Sequence, residues 1–196
     1  MNDTRGARPP ACARLFLCGD VMTGRGIDQI LPHPGDPRLF EPVCGSARDY
    51  VRLAEQENGR LPAHRDDAYP WGDALAELER VRPDARIINL ETAVTTSDDR
   101  WPGKSVLYRM HPGNVGCLLR AQVDCCVLAN NHTLDWGRAG LDETCATLAR
   151  AGIAMAGAGR DAAQAAAPAI VECAGGARVR VEAFVTASAG ALAGWA

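Results

Sequence analysis

Three apolar runs in this sequence each end in a side chain able to bind a cation or move a proton. They read Leu17-Cys18-Gly19-Asp20, Ile88-Asn89-Leu90-Glu91 and Leu128-Ala129-Asn130-Asn131-His132. Two carboxylates and an amide oxygen form an oxygen-rich donor set suited to Mn²⁺, Mg²⁺ or Fe²⁺, and an imidazole extends it toward Zn²⁺. Such a set can clamp phosphoryl oxygens and lower the pKa of a water. Asp and Asn are also ordinary turn residues after strands, so no single one carries the reading. Glutamate is not a favoured turn residue, and three strand ends of the same kind point to a site. Asp135 follows His132 by three residues; it either orients the imidazole through a hydrogen bond or caps the helix that begins near Gly137. Arg25, in GDVMTGRG, and Arg109, in YRMHP, either clamp a phosphate or carboxylate or pair with a surface acid. His33, His64 and His111 sit before proline or in polar stretches and read as surface residues. The glycines around Arg25 are not a dinucleotide fingerprint, because Gln29 stands where its last glycine belongs.

These residues need strands that end together. A strand is expected over 14–19, another over 86–90 and a third over 124–129, with further strands over 153–156, 169–172 and 178–185. The last two are expected to form a hairpin across Gly175–Gly176. Helices fall between them. Ser46, with Asp49, opens one that carries Ala47, Tyr50, Val51 and Ala54 at helical spacing and stops at Gly59. Another runs from Asp73 to Val81 and is stopped by Pro83. Asn114 is expected to cap a short helix bearing Val115, Leu118 and Leu119, and a long helix spans Gly137–Ala151 with Gly152 at its end. Strands alternating with helices predict an α/β domain with a largely parallel sheet, in which ligands bind beyond the carboxyl ends of the strands.

The composition is that of one globular domain. Of 196 residues, 47% are hydrophobic and 23% charged, with a formal net charge of −3. A chain of this length buries roughly 70% of its unfolded surface. No apolar run approaches the ~20 residues of a membrane span. No signal-peptide pattern opens the chain, and no basic run marks it as a nucleic-acid binder. Basic charge comes from 20 arginines and one lysine, Lys104, beside 34 alanines. GC-rich coding explains that bias, so arginine number alone says nothing about phosphate. The eight cysteines contain no C-x-x-C pair, and four of them (Cys18, Cys125, Cys126, Cys173) lie in or beside apolar runs. They read as reduced, mostly buried thiols of a cytoplasmic protein. Residues 1–13 are expected to form a disordered tail, and 14–196 a single domain.

The segments CGDVMTGRGID, IINLETAVT, YRMHP, VLANNHTLDWGRAGLDET and GIAMAGAGRD, in this order from about Leu15 onward, resemble the CapA family of capsule (poly-γ-glutamate) synthesis proteins. That family belongs to the calcineurin-like metallophosphatase superfamily. The resemblance implies an α/β sandwich of two sheets flanked by helices, with a two-metal site at the strand ends. It places Asp20 in the first metal-binding motif, Glu91 as the bridging carboxylate, Asn131 as the ligating amide and His132 as the proton donor to the leaving group. The implied reaction is metal-assisted hydrolysis of a phosphoester; a phosphorylated or polyanionic substrate and a divalent metal (Mn, Fe, Zn or Mg) go with it.

Two departures bear on activity. Met22 stands where the superfamily's first motif has a histidine, and no histidine follows His132. The chain is therefore expected to resemble the amino-terminal part of such a protein, incomplete at its C-terminus, with weak metal binding and turnover near background. The alternatives are a non-catalytic module that binds an anionic polymer or a synthesis partner, and an inactive fragment. An incomplete sandwich is further expected to leave Val179, Val181, Phe184 and Val185 exposed, inviting a dimer or partner contact along that edge.

Overall fold

The structure is a computed structural model that describes residues 12–63, 65–173 and 176–190. His64, the first eleven residues and the tip of the expected hairpin lie outside the described residues. In chain order the elements are β1 (Leu15–Val21), α1 (Arg25–Ile30), α2 (Ala47–Asn58), α3 (Ala74–Val81), β2 (Ala85–Leu90), β3 (Ala93–Val94), β4 (Arg109–Met110), α4 (Gly116–Arg120), β5 (Cys125–Val127), α5 (Gly137–Arg150), β6 (Ala154–Ala156), α6 (Ala162–Ala166), β7 (Ala169–Glu172) and β8 (Arg178–Val181).

Four strands form a wholly parallel sheet in the order β1-β2-β5-β6. Strands that neighbour in sequence order and cross over with one hand place their helices on one face of the sheet. That face carries the main core. Ile88 and Leu90 of β2, Cys126 of β5 and Leu128 just beyond it pack against Leu78, Cys117, Leu118 and Leu148 from the helices. The opposite face is covered by the β7–β8 hairpin, whose pairing is antiparallel. Its inward residues Ala169, Val171 and Val181 close on Ala85, Ile87, Cys125 and Ala156. The α/β architecture is as the periodicity implied. The period-two alternation is visible along β2, where Ile87 and Ile88 face opposite layers and both are buried. Burial pushes the Cys117 thiol up to about 12 and the Cys125 thiol up to about 11, so both behave as small hydrophobes. All eight cysteines are free.

Ser46 caps α2 as expected, its hydroxyl accepting from Arg48 N, and Gly59 follows the last turn with φ of 84°. Other expectations need correction. Asn114 is not a helix cap. The chain enters a 3₁₀ turn, Pro112–Val115, in which His111 Nδ1 accepts from Gly113 N. Asn114 is fully buried, and its amide reaches across to Asp28 Oδ1 and the His33 carbonyl. The reason is long-range: buried Asp28 also accepts from the backbone N–H of Gly35 and His111, and Asn114 completes that set. His33 and His111 lie against one another, ring centroids 6.3 Å apart. The strand expected over 178–185 ends at Val181. Val181 is buried under the sheet rather than stranded, whereas Phe184 is 81% exposed. Apolar surface is also exposed on the edge strand β1, where Leu17 is 68% exposed. No helix among the described residues is long and apolar enough to cross a membrane.

Candidate functional site

A β-bulge aims the first acidic residue. Cys18 is opposite Ile88 and Asp20 is opposite Asn89, so Gly19 is the extra residue and Asp20 turns to the same side as Asn89. Asn89 then uses both hydrogens of its amide, donating to Asp20 Oδ1 and to Glu91 Oε2 at 2.7 Å each. Its oxygen accepts from Asn130 Nδ2 at 3.0 Å, and the same nitrogen donates to Leu90 O at 2.9 Å. Asn130 Oδ1 in turn accepts from His132 N at 2.9 Å. The ends of β1, β2 and β5 are thereby tied into one polar crest that brings Asp20, Glu91 and His132 together, with Asn131 beside His132. His132 Nε2 is 3.9 Å from Glu91 Oε1.

The other ring nitrogen faces inward. His132 Nδ1 is 2.7 Å from Asp135 Oδ2, and the Asp135 side chain is fully buried. Helix α5 has Trp136 at its N-terminal boundary and no side-chain cap, so Asp135 serves the ring and not the helix. Asp135 also accepts from Tyr108 N at 2.6 Å and from Lys104 Nζ at 2.5 Å. Lys104 Nζ donates as well to the Asn131 carbonyl. The Tyr108 ring is stacked on His132, centroids 3.8 Å apart and planes within 18°.

Arg25 stands one ring further out. Its guanidinium lies 4.7 Å from the Tyr108 ring and 5.1 Å from that of Tyr50, and pairs with Glu41 at 2.7 Å. Arg109 is committed elsewhere: it donates to Ser97 O at 2.7 Å and Asp98 Oδ1 at 3.1 Å, and lies 3.9 Å from the Trp136 ring. It stands in β4, one residue beyond Tyr108. Sequence reading missed Asn89, Tyr108 and Lys104. Only Lys104 left a signal, as the one lysine among 20 arginines.

The donors fit a divalent cation in part. Asp20 and Glu91 share one amide partner, and neither is claimed by an arginine or lysine among the described residues. Yet among those residues no three His, Cys, Asp or Glu side chains converge as a cage. Met22, where the family resemblance implies a histidine, brings no strong ligand. Beside Asn131 a cavity of about 250 Å³ opens, walled by Leu134, Leu141, Ala158 and Ala165, with Arg138 and Arg160 also on its lining.

Comparison with known proteins places the chain in a family. A family described as "Bacterial capsule synthesis protein PGA_cap" matches residues 14–195. Two proteins of Mycobacterium tuberculosis, from strains CDC 1551 / Oshkosh and ATCC 25618 / H37Rv, are each called a "Probable polyglutamine synthesis accessory protein". Each is 48% identical over 187 residues, covering 95% of this chain and 49% of its own length. The chain thus spans about half the length of these curated relatives. With a family match over nearly its whole length, the chain belongs to the bacterial capsule synthesis protein family.

Proposed function

We propose that the crest serves capsule or polyglutamate synthesis as part of a hydrolytic centre for a phosphorylated or polyanionic substrate. In this reading Asp20, Glu91 and Asn131 hold a divalent cation. The cation would supply the Lewis acidity that polarises a phosphoryl oxygen. With its ring doubly protonated, His132 delivers the proton on Nε2 to the leaving oxygen and keeps the one on Nδ1, which Asp135 holds. Asp135 sets the tautomer, and the cavity beside Asn131 accepts the organic part of the substrate. The observation that supports the reading is the pair of hydrogen bonds from the Asn89 amide, which holds two carboxylates together within reach of an imidazole. A second reading, a non-catalytic module for an anionic polymer, is favoured by Met22, which brings no strong ligand where the family resemblance implies a histidine.

Calorimetry with Mn²⁺ tests the site. Weak binding that Asp20→Asn or Glu91→Gln removes is expected; binding indifferent to both substitutions overturns it. Hydrolysis of p-nitrophenyl phosphate esters with Mn²⁺ separates the readings. Turnover lost in His132→Ala supports the hydrolytic one, and retention on immobilised polyglutamate without turnover supports the second.

A further inference from the structure

We propose that Lys104 is the positioning residue of this site: it holds Asp135 and the Asn131 backbone so that His132 keeps its proton on Nδ1 and presents Nε2 to Glu91. The proposal rests on the site reading above but not on the reaction assigned to it.

The geometry supplies the argument. The buried Asp135 carboxylate has three donors: the Lys104 ammonium on Oδ1, and Tyr108 N–H together with His132 Nδ1 on Oδ2. An ionised carboxylate only accepts, so His132 Nδ1 must be the donor, which in the neutral ring leaves Nε2 as the nitrogen without a proton. A carboxylate buried without a cation would be costly to keep charged, and Lys104 is the cation it meets. Lys104 performs a second task with the same nitrogen. Its bond to the Asn131 carbonyl joins the backbone just before His132 to Asp135, the ring's partner. The Tyr108 ring closes the remaining freedom by lying flat on the imidazole.

The identity of the residue fits the task. Of the 21 lysine and arginine side chains in the protein, the other 20 are all arginine. A guanidinium is a planar fork matched to bidentate pairing, whereas an ammonium is a compact point with three divergent donors. Here one nitrogen must reach a carboxylate oxygen and a backbone carbonyl that belong to different residues, with a ring nitrogen 3.5 Å away. The substitution of lysine by arginine is therefore expected not to rescue.

The test reads the tautomer directly, in metal-free protein without substrate. Long-range ¹H–¹⁵N correlation of the histidine rings, with His132 assigned from a His132→Asn variant, should show a dominant Nδ1–H form in the unsubstituted protein. Lys104→Met and Lys104→Arg should both lose that dominance while keeping a cooperative melt, and Asp135→Asn should lose it as well. An unsubstituted protein with its proton mainly on Nε2 overturns the proposal, whatever the variants do. So does an unchanged Nδ1–H form in a folded Lys104→Met. Failure of phosphoester hydrolysis with the tautomer shift intact would sink the reaction and leave the role of Lys104 standing.

Discussion

One carboxylate away from the crest shows how hydrogen bonds outweigh burial. Burial pushes the Glu143 carboxyl up, but donors on Thr95 Oγ1, Thr96 N and Thr96 Oγ1 together hold it below its ordinary 4.5. The bonds measure 2.5 Å from Thr95 Oγ1 and 2.8 Å from Thr96 N, and they clip the loop after β3 to α5. A carboxyl whose folded pKa is depressed adds stability above its unfolded pKa and loses it as pH falls through the folded value. The stability advantage of the unsubstituted protein over Glu143→Gln should therefore be full above pH 4.5 and shrink progressively below it. Urea unfolding on both sides of that pH measures it. An advantage that grew on acidification would mean that these bonds do not favour the charged form.

At the scale of elements, the turn between β1 and α1 decides where two site residues stand. Gly24 passes so close to β4 that an added Cβ would lie 2.9 Å from Arg109 O and 3.0 Å from Arg109 N. Backbone atoms of a strand cannot step aside as a flexible side chain can. Arg25, next in the chain, has φ of 49°, a conformation that non-glycine residues adopt only when their surroundings impose it. The same close approach brings Arg25 over the Tyr108 ring. Gly24→Val is expected to cost ~1–3 kcal/mol through overpacking. For a chain of this size that lowers Tm by about 2–4 °C per kcal/mol, and calorimetry reads it. A neutral Gly24→Val would show that the turn after β1 and strand β4 are not held as closely as described.

At the scale of the whole molecule, the two faces of the sheet are unequally covered. Leu148, in the helix-side core, is fully buried, while Leu17 on β1 is 68% exposed. Leu148→Ala should cost ~2–5 kcal/mol for the lost transfer energy and the cavity left behind. Leu17→Lys should change stability by no more than about 0.5 kcal/mol. It should also reduce self-association, because a lysine on an edge strand opposes strand-to-strand pairing. Urea denaturation and light scattering check both. A large loss of stability in Leu17→Lys would mean that this part of β1 is covered in solution.

What the sequence determined by itself was everything set by short-range pattern. Apolar runs marked the strands, Ser46 and Gly59 bounded α2, and three strand ends exposed Asp20, Glu91 and His132 as residues that meet if their strands are parallel neighbours. Type and spacing also narrowed Asp135 to two roles. Tertiary structure decided what depends on contacts far apart in the chain. The choice of Asp135 for the His132 ring needed Lys104 and Tyr108, which arrive from a loop that no periodicity describes. The aim of Asp20 needed a bulge at Gly19, which becomes visible only when β1 is paired with β2. Asn114 looked like a cap because caps are local; buried Asp28, 86 residues away, claimed its amide instead, since a buried carboxylate must find its donors wherever the fold brings them.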